Sequence, residues 1–177
     1  MACNITSGIA LDCMDSIGGI KVAYLGINLN WTSFTYGTNS IIVGATGAGV
    51  TQSFYEYELP KDTGSITETF NISNTNGTAF YSQALTINLQ KLDAAKRAQL
   101  LLLSRNRNIT MIVVDNNDKI WMLGQTRGGV LTQGTSVTGV APGDANQYSI
   151  TITADEPAMM YEVQSLAVFS GISFVSA

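Results

Sequence analysis

The sequence predicts a mainly β fold, an antiparallel β-sandwich or barrel with one flanking α-helix and a long protruding hairpin. Three observations carry this. Two long stretches alternate apolar and polar residues on either side of an Asn-Gly turn. Only one segment keeps a helical period. About ten strand-like segments follow one another with no βαβ alternation, as antiparallel connectivity requires. At 177 residues the chain suits a single domain, 1–177, with a sizeable core.

Taken in order, Met1 to Gly19 reads as an irregular arm (about 1–19). Lys21–Leu25 and Ile27–Trp31 read as strands, with Gly26 between them marking a bulge or bend. Tyr36 to Thr51 is polar and Gly-rich around Ile41-Ile42-Val43 and reads as a mobile loop. Phe54–Leu59 is a strand stopped by Pro60 and a turn at Asp62-Thr63-Gly64. In the long hairpin, Ile66, Phe70 and Ile72 share one side, and Thr67, Thr69, Asn71 and Ser73 share the other. Asn76-Gly77 supplies a dipeptide suited to positive φ. The return strand puts Tyr81, Leu85, Ile87 and Leu89 on one face. At roughly ten residues per arm it exceeds the usual strand length of about 5–6. Such a free edge invites pairing with another chain.

Leu92 to Ser104 is the convincing helix. Asp93 is its N-cap, and Leu92, Ala95, Ala98, Leu101 and Leu102 form an apolar stripe. Lys96 and Arg97 read as its solvated face, or as partners for acids of another molecule. Arg105 and Arg107 close it where cations suit the dipole. A second hairpin joins Asn108–Val114 to Lys119–Gly124 through Asp115-Asn116-Asn117-Asp118. Short strands follow around Val130–Thr132 and Ser136–Thr138, then a turn at Pro142-Gly143-Asp144 and an alternating strand Tyr148–Ala154. An apolar C-terminal extension (about 162–177) reads as a further strand or an arm docked on a neighbour.

Apolar residues make up 45% of the chain and charged residues only 12%. That balance is unlike a disordered chain and suits a β protein whose surface neighbours cover. The net charge of −4 comes without a basic stripe for phosphates, so tight nucleic-acid binding is not expected. A mildly acidic surface instead lets a polyanion slide past. The sequence has no apolar run of membrane-spanning length, so no membrane insertion of this chain is expected. Met1–Cys13 also lacks the pattern of a secretion signal. Without that signal, the Asn-x-Ser/Thr triplets beginning at Asn4, Asn30, Asn71, Asn76 and Asn108 reflect only composition. Cys3 and Cys13 could bond to each other; a reducing cytosol favours a free pair.

The chain contains no histidine. That removes imidazole acid–base relays, Ser-His and Cys-His nucleophiles and most zinc sites. Gly44-Ala45-Thr46-Gly47-Ala48-Gly49 lacks the Lys-Ser/Thr of a phosphate loop. Asp115, Asp118 and Asp144 lack calcium-loop spacing and fit turns. Glu56 and Glu58 on one strand, like Asp155 and Glu156, could serve as paired carboxylates for glycoside hydrolysis. No cleft accompanies them, so solvated or lumen-facing acids are the better reading. The sequence therefore predicts no enzyme, no cofactor and no metal.

The order of pieces resembles the tail-tube proteins of tailed bacteriophages, a fold shared with the tubes of injection systems. The likeness rests on the hairpin Ile66–Leu89, the helix Leu92–Ser104, the strand pair around Ile112–Leu123 and the closing run Gly139–Ala158. In that run glycine, aspartate, tyrosine, a strand, alanine, glutamate and proline succeed one another. The resemblance implies a virion protein, assembled in the bacterial host cytoplasm, whose rings of six stack into a tail tube for genome delivery. Strands of all copies would close one β-barrel around a lumen. Its partners would be itself, other tail proteins (tape measure, terminator, baseplate or hub), a possible sheath, and DNA passing without specific binding. A connector, a stopper or an adhesin-like β-sandwich is the alternative. The self-assembly candidates are Ile66, Phe70, Ile72, Tyr81, Leu85, Ile87 and Leu89, and the candidate lumen or rim acids are Glu56, Glu58 and Glu68.

Overall fold

The computed structural model describes residues 7–11, 13–27, 31–47 and 52–177. In chain order these residues form β1 (Ile20–Ile27), β2 (Trp31–Tyr36), β3 (Ile42–Gly47), β4 (Gln52–Glu58), β5 (Ser65–Ser73) and β6 (Thr78–Gln90). Then come α1 (Ala94–Arg105), β7 (Ile109–Asp115), β8 (Ile120–Leu123), β9 (Val130–Val137), β10 (Gln147–Glu156), β11 (Tyr161–Val163), β12 (Phe169–Ser170) and β13 (Ile172–Val175). The fold is mainly β, two packed sheets with one flanking helix.

Sheet A has nine strands, ordered β12-β3-β11-β8-β7-β1-β4-β13, with β2 paired to β3. Antiparallel pairing dominates; β3 with β11, β3 with β12 and β4 with β13 are the parallel exceptions. Phe169 on β12 and Phe174 on β13 lie at opposite ends of that order, yet their rings are 5.9 Å apart. The sheet is therefore curled into a half-barrel, and its concave face encloses a core of Ile42, Phe54, Ile112, Met122 and Phe169.

Sheet B is the four-stranded antiparallel β5-β6-β10-β9. It packs on the other face of sheet A, where Leu85, Ile87, Ile150 and Ile152 meet Leu25, Met111, Val113 and Leu123. Strand β7 is thus covered on both faces, and Ile109 to Val113 are all buried. A strand buried on both sides has no need of alternation, which is why it reads as a continuous apolar run.

The hairpin, the α1 segment and the β7–β8 pair lie where the alternation puts them. A four-residue turn, 74–77, joins β5 to β6, and Gly77 takes the positive φ of 63°. The β7–β8 turn is held by Asp115. One carboxylate oxygen accepts from the Asn117 and Lys119 N–H groups, both at 2.8 Å, and the other accepts from Trp121 Nε1–H at 3.2 Å. Asp144 similarly accepts from the Val140 and Ala141 N–H groups. Those bonds, Ala141's first, hold its carboxyl below the usual range. Both aspartates are spent on turns, and among the described residues no cluster of three metal-ligating side chains forms.

Three expectations need correction. The stretch 36–51 is not one loop: β2 and β3 form a hairpin around a 3-10 turn at Thr38–Ser40, and Gly44–Gly47 lie within β3. Residues 48–51 of that stretch, and residues 28–30 of the segment Ile27–Trp31, lie outside the described residues, as does Cys3. Gly26 does not bend its strand; a Cβ there would lie 2.9 Å from the Phe54 ring, so glycine gives that ring room. The irregularity of β1 falls instead between Ile20 and Val22. The two short segments around residues 130–138 are one strand, β9, with its bulge opposite Thr151/Ile152. Of the two courses open to residues 162–177, a further strand or an arm docked on a neighbour, the chain takes the first: they contribute to β11 and form β12 and β13 inside sheet A.

Gly26→Val should force the Phe54 ring out of its place and cost about 1–3 kcal/mol, as overpacked cores do. A urea melt checks this; an unchanged midpoint contradicts the close-approach reading.

Candidate self-assembly surface

Sheet B is two-faced along β5, β6 and β10, although its polar side also carries the exposed Phe80 and, on β9, Val130 and Val137. One face is core. The other carries Thr67, Thr69 and Asn71 on β5, Ser82, Thr86 and Asn88 on β6, Ser149, Thr151 and Thr153 on β10, and Gln133 and Thr135 on β9, as the pairing registers require. Hydroxyl pairs tie neighbouring strands across it, Thr86 to Thr151 at 3.1 Å and Thr132 to Thr153 at 2.9 Å. Asp155 is its one charged residue among those described, and no cation lies on it.

Both borders of this sheet are open. Among the described residues β5 pairs only with β6, and β9 only with β10. Strand direction alternates along β5, β6, β10 and β9, so the two border strands run opposite ways. A copy added at either border without turning over therefore meets an antiparallel neighbour, and its polar face stays on the same side.

The seven apolar candidates all fall on the core-side face of β5 and β6, but they divide by depth. Leu85, Ile87 and Leu89 are buried in the chain's own core, and Ile66 packs against it. Tyr81 is half-buried and meets Phe70 edge-on, with ring centroids 5.4 Å apart. Towards the hairpin tip the face runs past the sandwich. Phe70 is 55% and Ile72 66% exposed. At the opposite border, α1 and β9–β10 frame an open groove of ≈ 280 Å³ lined by Leu100, Leu101, Leu131, Tyr148 and Ile150, with Arg97 at its side.

The three acids do not gather. Glu56 and Glu58 lie on β4 of sheet A, opposite Tyr24 and Val22. Burial, with Glu56 second, raises the Tyr24 phenol above its ordinary pKa. Glu68 sits on the core-side face of sheet B and accepts from Gln83 Nε2–H at 3.1 Å and from the Met160 N–H at 2.6 Å.

Sequence reasoning missed the polar cluster that anchors the hairpin. Gln83, 2% exposed, also donates to the Ala158 carbonyl and accepts from the Gly124 N–H at 3.0 Å. Glu156, 3% exposed, accepts from the N–H groups of Thr126, Arg127 and Gly128 at 2.7–3.2 Å. Buried polar groups survive only when so satisfied. The signal was present: Gln83 and Glu156 each occupy the apolar phase of an alternating strand.

The chain matches no protein-family model and no curated protein. Among solved structures it is similar to a chain described as "Virion of native gene transfer agent (GTA) particle", with 11% identity over 60% of this chain and 88% of that one and a TM-score of 0.38.

Glu156→Ala should strip the Thr126, Arg127 and Gly128 N–H groups of their shared buried acceptor and cost roughly 2–4 kcal/mol. Asp155→Ala, at the exposed neighbouring position, should stay within about 0.5 kcal/mol. Denaturant midpoints of the two variants check the contrast.

Proposed function

We propose that this chain is a structural virion subunit that polymerises through sheet B into stacked rings, forming a phage tail tube through which the genome passes. The observation that carries the reading is the pair of open, oppositely directed border strands, β5 and β9, on a four-stranded sheet with one polar face that carries no cation among the described residues. An unpaired edge is a template for association, and closure of the sheet into a barrel removes it. Even strand number lets every junction be antiparallel. A head-to-tail contact of this kind closes when its rotation closes, and six copies is the number that the family resemblance implies.

The polar face then lines the lumen. Thr, Ser, Asn and Gln side chains offer a passing polyanion weak, short-lived hydrogen bonds and no cation to hold it. The exposed Phe70 and Ile72 of one copy come against the apolar groove beside β9 of the next, since both belong to the same face.

Purified protein should form rings or tubes by electron microscopy. Phe70→Asp with Ile72→Asp should raise the concentration needed for assembly roughly tenfold or more, because about 1.5–3 kcal/mol is lost per uncovered large apolar side chain. The melting temperature of the dissociated subunit should hold, since both positions are already exposed. A subunit that stays monomeric at high concentration overturns the reading, and so does assembly indifferent to the double substitution.

A further inference from the structure

The turn between β5 and β6 holds the one Asn-Gly dipeptide of the chain, Asn76-Gly77. It closes the ribbon beyond the point where the sandwich covers it, and residues 74–80 are exposed without a break. A Cβ built on Gly77 would meet no atom within 4 Å, so nothing crowds that side of the turn. Exposed loop tips of this kind are where a chain is most open to chemical change.

The asparagines of this protein differ in how their side chains are employed. Asn117 accepts from the Ile17 N–H and donates to the Ile17 carbonyl, and Asn116 donates to the Gly18 carbonyl. Asn106 and Asn146 accept from the N–H groups of Asn108 and Leu92. Those carboxamides are held in place. Asn76 is tied through its main chain instead: its N–H donates to the Ser73 hydroxyl at 3.3 Å, and among the described residues its side chain makes no hydrogen bond. The carboxamide can therefore swing towards the peptide nitrogen that follows it. At Asn74, in the same exposed turn, the following residue is Thr75, whose branched side chain obstructs that approach. Gly77 has no side chain to obstruct it, and its backbone already sits at a φ of 63° that other residues reach with strain.

We propose that Asn76 is a site of spontaneous modification, converted in the folded protein to aspartate and isoaspartate with water as co-reactant. The Gly77 nitrogen gives up its proton to hydroxide and bonds to Asn76 Cγ. The Cγ–Nδ2 bond breaks, and the side-chain nitrogen takes a proton from water and leaves as ammonia. The cyclic imide so formed adds water at one of its two carbonyls. Opening on the side-chain side gives aspartate; opening on the main-chain side routes the backbone through the former side chain, as isoaspartate. No oxidant or reductant is needed. Each event adds one negative charge to a chain that carries −4, and places it at the ribbon tip beside the exposed Ile72 and Phe80. The chemistry needs one folded chain and does not rest on the tube reading.

Ageing the protein in mildly alkaline buffer, folded and in urea, tests it. Peptides are then read by mass and by methyl transfer from an isoaspartyl-specific methyltransferase. In the folded sample the peptide holding Asn76 should exchange a carboxamide for a carboxyl, faster as pH rises, at a rate within severalfold of that in urea. Asn74, Asn116 and Asn117 should stay intact over the same period. Asn76→Gln, whose extra methylene demands a larger ring, should abolish the isoaspartyl signal, and at an exposed position it should leave the fold unchanged. Survival of Asn76 in the folded sample overturns the proposal, whatever happens in urea. So does conversion of Asn74 as fast as Asn76, or a signal undiminished by Asn76→Gln.

Discussion

The open backbone of β5 and β9 is the constraint around which this molecule is arranged. Each border presents a row of N–H and C=O groups that the chain's other described strands leave alone. Water can satisfy them, but only while the strand stays exposed. Sheet A, by contrast, brings its two ends together by curling until Phe169 and Phe174 meet. One chain thus holds two answers to the same edge problem. Sheet A is completed from within, with the C-terminal strands as its last pieces, whereas both borders of sheet B stay unpaired among the described residues.

The hairpin is also fixed in direction. Its apolar base is core, yet hydrophobic contact is non-directional and would not fix the angle at which the ribbon leaves the domain. The polar cluster supplies direction. Glu68 and Gln83 bind β5 and β6 to each other and to residues 158 and 160. Gln83 and Glu156 bind the same end of sheet B to the loop after β8. Removing any one partner would leave a buried group unpaired, so the cluster holds the ribbon in one pose.

Much of the fold was legible in the chain because alternation is a local signal. β5, β6 and β10 announce themselves by period, and the turns at Asp115 and Gly77 by chemistry. β3 did not, because Gly44 and Gly47 dilute its pattern and its partners β11 and β12 arrive more than a hundred residues later. The orientation of α1 was equally hidden: Leu100 and Leu103 pack inward, while Leu101 and Leu102 of the expected stripe are exposed. Leucines at 100 through 103 occupy every side of a helical turn, so period alone cannot say which pair faces the core. Among the residues named as assembly candidates, alternation shows that they share one face but not how deeply each is buried. Where along a strand the sandwich ends depends on the length of the sheet lying over it, which residues 66–89 do not encode.

The capture of Glu156 has a consequence for how this protein can diverge. The carboxylate grips Thr126, Arg127 and Gly128 through main-chain N–H groups alone. Thr126 and Arg127 are exposed, and among the described residues no hydrogen bond from their side chains holds the loop. Selection can therefore rewrite those two positions, in charge or in bulk, while the scaffold beneath stays put. An engineer wishing to display a short foreign peptide on this protein would find there a site whose anchorage ignores the letters written on it.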